Sequence, residues 1–155
     1  MPSVGMVGQN GREIAREFLR MCQGTVNCYH ITESQHQGPK LDVLVASGAS
    51  PILAELVPKL APDGYLVVNA DDKEIFPYLS PRSARLITYG FNNKACVTAS
   101  SVTDDGLHVC IQRSFDTLDG TTRDPQEFAA PVGVSSVSPE TALGAAAVWA
   151  ICGRL

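Results

Sequence analysis

Three short apolar runs, Val4 to Val7, Asp42 to Ala46 and Tyr65 to Asn69, lack the polar–apolar alternation of a strand with one wet face. Each reads as a strand buried on both sides, and the segments between them are too long for hairpins. Such strands belong in parallel sheets, joined by crossovers that lay helices on the two faces. The first crossover fits, because from Arg12 onward Ile14, Ala15, Phe18, Leu19 and Cys22 recur at helical spacing. In the next one Ser50 reads as an N-cap and Pro51 as the first helical position, with Ile52, Leu53, Leu56, Val57 and Leu60 turned inward. A second strand is expected over Thr25 to Ile31 and a loop over Thr32 to Lys40. Asp63 and Gly64 should turn into the strand at Tyr65, and Asp71 and Asp72 should open a short helix ending near Pro77 to Ser80. Arg85 to Tyr89 then forms a strand stopped by Gly90.

From Ala95 the pattern switches to alternation. Cys96 to Val102, a turn at Asp104, Asp105 and Gly106, and then Leu107, Val109 and Ile111 predict a hairpin. Asp119 and Gly120 mark a second turn, and Phe128 to Val134 predict a returning strand. An alanine-rich helix starts at Pro139 and Glu140 and runs through Trp149 and Ile151 to Gly153. The expected fold is α/β: a mainly parallel, doubly wound sheet with a P-loop-like first βα turn and a small antiparallel β appendage over about residues 95–134. With no internal repeat and no linker, residues 1–155 are expected to form a single domain.

Composition excludes several classes of function. Twelve basic against sixteen acidic residues give a net charge of −4 without a basic cluster, and aromatics are only 6%, so no nucleic-acid partner is expected. No stretch approaches the roughly 20 apolar residues of a membrane span, and Met1 to Gly8 has no export signal, so no membrane partner is expected. The five cysteines are scattered, without a CxxC pair, which suggests reduced thiols, a cytoplasmic location and no metal site. His30, His36 and His108 are too dispersed for a catalytic set. Ser47 to Ser50 lacks the G-x-S-x-G pattern, and nothing near Cys22 or Cys28 would lower a thiol pKa.

The chemistry-bearing candidates lie at strand ends. Gly8, Gln9, Asn10, Gly11, Arg12 and Glu13 make a glycine loop between the first strand and its helix, where backbone N–H groups and the helix dipole can hold phosphate. Asn69, Asp71 and Asp72 follow a buried strand, on the side where this architecture places ligands. Gly5, Gly8 and Gly11 also allow a dinucleotide-binding module as an alternative, with Glu33 as the only carboxylate for a ribose; the spacing is not G-x-G-x-x-G.

The loop Gly8-Gln9-Asn10-Gly11-Arg12-Glu13 resembles the G-T-N-G-K-T/S phosphate loop of the Mur ligase family. Leu66 to Asp72 resembles that family's strand ending in N-x-D-D, and Ile87 to Asn92 its next strand closing in glycine. A β-rich excursion and an alanine-rich helix follow in the same order, so the resemblance covers most of the chain but only the family's central ATPase domain. It implies a fold shared with ATP- and magnesium-dependent amide-bond ligases of bacterial cell-wall synthesis. The departures fall on the chemistry. Arg12 stands at the lysine position and Glu13 at that of the magnesium-binding hydroxyl. No carboxylate lies between Asp42 and Glu55 to match the family's metal ligand. Val137, Ser138 and Thr141 stand where the resemblance implies a histidine and adenine-reading asparagines. The family's flanking domains have no counterpart in these residues, and the segment before the third strand is too short for its carbamylated lysine. The expectation is therefore a non-catalytic, degenerate Mur-ligase-like module that binds a protein partner or itself, with no cofactor and with the Glu13 carboxylate filling the loop in place of phosphate. The alternative is an ATP-dependent amide-bond ligase, or a component of one, using ATP and Mg2+ through Arg12 and Asp71 or Asp72.

Overall fold

A computed structural model describes residues 2–22, 24, 26–32, 40–79, 85–103, 106–130 and 137–152. The fold is α/β, as the buried strands require. Its elements are β1 (Ser3–Val7), α1 (Gly11–Cys22), β2 (Asn27–His30), β3 (Leu41–Ala46), α2 (Leu53–Leu56), β4 (Leu60–Asn69), β5 (Arg85–Tyr89), β6 (Val97–Thr103), β7 (Gly106–Ile111), β8 (Phe115–Asp116), β9 (Thr122–Arg123), β10 (Gln126–Ala130) and α3 (Pro139–Ile151). Short 3₁₀ helices cover Val57–Lys59 and Lys73–Tyr78.

Eight strands form one sheet in the order β10-β7-β6-β5-β4-β3-β1-β2. β2, β1, β3, β4 and β5 are mutually parallel, and the expected hairpin of β6 and β7 is antiparallel, followed by antiparallel β10. These last strands extend the main sheet, joined to β5 by a parallel pairing of Tyr89 with Val97. Among the described strands only β8 and β9, folded around Gly120, stand apart as a two-stranded ribbon.

The absence of alternation in the first runs is explained by two cores. Val4, Met6, Val43, Val45, Tyr65, Val67, Ile87 and Tyr89 face α1 and α3, while Val7, Leu44, Ala46, Leu66 and Val68 face α2 and the 3₁₀ turns. Beyond β5 the α1/α3 face receives Val97, Leu107, Val109 and Ile111, and the opposite face carries polar residues, so alternation returns there. The alanines of α3 have a purpose: every residue from Thr141 to Val148 is buried, and small side chains let the helix lie close to the sheet and to α1. Ser138 caps it, its hydroxyl accepting from Thr141 N at 3.2 Å, with Pro139 in the first turn.

Several local expectations need correction. The helix beginning at Ser50 lasts one α-turn; its N-cap is Ile52 without a side-chain cap, and Ser50 contributes its carbonyl to Leu53 N. Pro58 lacks an N–H and crowds the carbonyl four residues back, so the turn tightens to 3₁₀ and Leu60 enters β4 as a buried strand residue. Asp63 and Gly64 lie inside β4, where Leu41 pairs with Leu60 but Val43 pairs with Tyr65, leaving the extra residues as a bulge. Leu19 is 38% exposed, at the margin of the inward stripe of α1. The second strand starts at Asn27, and the returning strand spans Gln126–Ala130. Thr25, the loop from 33 to 39, the helix end at Ser80, the turn residues Asp104 and Asp105, the stretch from Pro131 to Val134 and Gly153 lie outside the described residues.

Candidate functional site

Reversal of strand order between β1 and β3 opens a crevice beyond their C-terminal ends, the position where open α/β sheets bind ligands. The glycine loop sits there. Gly8 adopts φ +111°, and a Cβ on it would lie 2.7 Å from both Gly48 N and Ser47 Oγ. Glycine is required twice over, by conformation and by close approach. The loop closes onto α1 through Gly11 N to Gly8 O at 3.1 Å.

One donor of the loop is taken by the protein itself. Ser47, only 6% exposed, accepts from Asn10 N at 3.2 Å and donates to Val7 O at 3.2 Å. A loop N–H that would face phosphate is thus spent on a hydroxyl 37 residues away. Gln9, Arg12 and Glu13 are exposed. Among the described residues Glu13 makes neither a hydrogen bond nor an ion pair with Arg12, and the side chain that takes a loop N–H is Ser47. The sequence held no signal for this, because Ser47 reaches the loop only through the β1–β3 pairing.

The second group, Asn69, Asp71 and Asp72, is brought together at the end of β4 and put to structural use. Asn69 Nδ2 donates to Ser47 O, and its Oδ1 accepts from Asp71 N. Asp72 accepts from Ala49 N at 3.0 Å with one oxygen and caps the Lys73–Tyr78 turn through Glu74 N at 3.1 Å with the other. Asp71 accepts from Phe91 N at 2.7 Å, Asn92 Nδ2 at 2.8 Å and Asn92 N at 3.2 Å. Partial burial pushes this carboxyl up, but the three hydrogen bonds outweigh it and hold the group below the usual carboxylate range. Gly90 follows from the same contact, since a side chain there would strike the Asp71 carboxylate.

Two cavities flank these residues. One, of about 280 Å³, lies between Asn10, Glu13 and Arg16 of the loop and α1 and Val137, Ser138 and Thr141 at the start of α3. The other, of about 690 Å³, opens beyond β4 and β5, with Lys73, Lys94 and Arg113 on its walls beside Asp71, Asn92 and Phe76. Those three cations were not singled out in the sequence, where they are dispersed among separate loops.

The remaining candidates do not converge. His30 on β2 and His108 on β7 lie near opposite edges of the sheet, and His36 and Glu33 are outside the described residues. Gly5 sits in mid-strand, paired with Tyr29 and Leu44, so the dinucleotide turn lacks its first glycine. Burial pushes the Cys28 thiol up to about 12, with Cys22 adding to the effect. Among the described residues no three His, Cys, Asp or Glu side chains gather as a metal site, and no helix is long and apolar enough to cross a membrane. Compared with known proteins, the chain matches no protein-family model and no curated sequence.

Proposed function

We propose that the chain is a non-catalytic α/β binding module of Mur-ligase-like build, in which the glycine loop serves as a structural corner. The observation that carries this reading is Ser47, whose hydroxyl takes the Asn10 N–H and packs tightly against Gly8. The candidate carboxylates support it. Both oxygens of Asp72 and both of Asp71 already accept hydrogen bonds, so magnesium would have to compete with the contacts that hold Ala49, Glu74, Phe91 and Asn92. Charge stabilisation is the main protein contribution to phosphoryl transfer, and this chain has no lysine in the loop to supply it.

A second reading, an ATP-dependent amide-bond ligase or a component of one, draws on the cavity shared by the glycine loop and the start of α3. Its volume of about 280 Å³ is below the usual range for small-molecule sites, and Glu13 on its wall would repel a triphosphate.

Calorimetric titration with Mg-ATP and pyrophosphate at low salt, paired with a phosphate-release assay, separates the two. The natural chain should give no turnover, and its Mg-ATP titration should be the same in Arg12→Ala, since the glycine loop contributes no nucleotide binding. Pyrophosphate binding should appear in the Ser47→Gly, Glu13→Thr double variant, which frees the Asn10 N–H and removes a negative charge. Mg-ATP turnover by the natural chain, or Mg-ATP binding that is lost in Arg12→Ala, would overturn the proposal.

A further inference from the structure

The chain carries a net charge of −4, yet Lys73, Lys94 and Arg113 meet around one cleft of about 690 Å³ at the C-terminal ends of β4 and β5. Three separate connections deliver them. Lys73 opens the 3₁₀ turn after β4, Lys94 lies in the loop after β5, and Arg113 follows β7, whose end is brought beside β5 by the β5–β6–β7 pairing. Among the described residues none of the three forms an ion pair. Arg113 spends one guanidinium nitrogen on Lys94 O at 2.9 Å, which fixes it beside the lysine's backbone. Among the described residues on the wall the only carboxylate, Asp71, is engaged by Phe91 and Asn92.

Like charges gathered around a concave surface focus a positive potential, which a bound anion relieves. The cleft also has an apolar element: Phe76 lies on its wall with 42% of its surface exposed, and Ala70 and Thr88 line it too. Its volume lies within the range of small-molecule sites. We infer that this cleft binds a small dianion, a phosphate ester or a dicarboxylate, that carries a flat apolar group resting on Phe76. Lys73 and Lys94 supply mobile point charges, Arg113 a planar set of donors, and Asn92 and Asn93 hydrogen bonds. The inference rests on the binding-module reading and deepens it by giving the module a ligand class. Its residues are different from those of the glycine loop.

The test is amide NMR titration of the full chain with four probes: phenyl phosphate, phthalate, inorganic phosphate and phenol. Phenyl phosphate or phthalate, whichever source of charge the site accepts, should give saturable shifts at Asn92 to Lys94, weaker as salt is raised. Inorganic phosphate and phenol, each lacking half of the recognition, should bind at least about tenfold more weakly, the equivalent of losing one good contact. Lys73→Ala with Lys94→Ala should weaken binding about tenfold or more without changing the thermal midpoint, since both side chains are exposed. Phe76→Ala should remove the preference for phenyl phosphate over inorganic phosphate. Absence of saturable shifts with both phenyl phosphate and phthalate up to about 10 mM would overturn the inference. So would binding that survives the double lysine change. Failure of the parent reading shows elsewhere, as Mg-ATP shifts at Asn10 and Ser47 with those of Asn92 to Lys94 unmoved.

Discussion

Replacing Gly8 by alanine tests whether the glycine loop is a packed corner. At φ +111° an L-residue is strained by about 1–3 kcal/mol. The new Cβ would also meet Gly48 N and Ser47 Oγ at 2.7 Å and Gly48 O at 3.2 Å. Backbone atoms cannot rotate away as a flexible side chain can, so the loop must retreat from the end of β3. That breaks the Asn10–Ser47 hydrogen bond, worth about 1 kcal/mol, and strains the Ser47–Val7 one. The sum is a loss of about 2–4 kcal/mol, or about 4–16 °C in Tm for a chain of this size. Gly120→Ala is the control: φ is +88° but nothing lies within 4 Å of its Cβ, so only the conformational cost of about 1–2 kcal/mol applies. Urea unfolding followed by circular dichroism and Trp149 fluorescence gives both values, with midpoints shifting at constant m. Ser47→Gly in the Gly8→Ala background removes one obstacle and should recover about 1 kcal/mol relative to additivity. If Gly8→Ala costs no more than Gly120→Ala, the loop is not seated on β3 and the argument for a packed corner fails.

Three other outcomes are expected. Asp71 titrates below its ordinary range when folded, so its stabilisation is present above the unfolded carboxylate pKa and is lost as pH falls through the lower folded value. Asp71→Asn should therefore lower stability near pH 7 by up to about 1 kcal/mol, a small figure because the site is solvent-screened, with the gap closing in acid denaturation curves as pH falls below the ordinary carboxylate range. In α3, a Cβ at Gly144 would meet Ile14 Cδ1 at 3.0 Å and Tyr89 at 3.2 Å, so Gly144→Val should cost about 1–3 kcal/mol in thermal unfolding. Gly144→Ala should be near neutral, its helix-propensity gain of about 0.8–1.0 kcal/mol offset by the tight fit. Cys28, with its thiol pushed up to about 12 by burial and by Cys22, should resist iodoacetamide at pH 8 in mass-spectrometric labelling, and labelling as fast as free cysteine would refute this.

What the sequence determined alone is what depends on neighbours a few positions apart. The stripe of Ile14, Phe18 and Cys22 specifies α1, Ser138 and Pro139 start α3, Asp72 caps the turn after β4, and unbroken apolar runs announce strands covered on both faces. Pro58 was also a local signal, strong enough to cut α2 to a single turn. Tertiary structure decided everything that required choosing a distant partner. A period of two says that a residue belongs to a strand and which way it points, but not which strand lies beside it. Hence the pairing of Tyr89 with Val97, which makes the antiparallel strands part of the main sheet, and the bulge between Leu60 and Tyr65 emerge only from packing. The same holds for the sites. Glu13 is adjacent in sequence to the loop it was expected to fill, yet Ser47, 37 residues from Asn10, is carried there by β3 lying against β1. Lys73, Lys94 and Arg113 meet for the same reason: parallel strands and a hairpin turned back on them bring the ends of distant segments to one edge of the sheet.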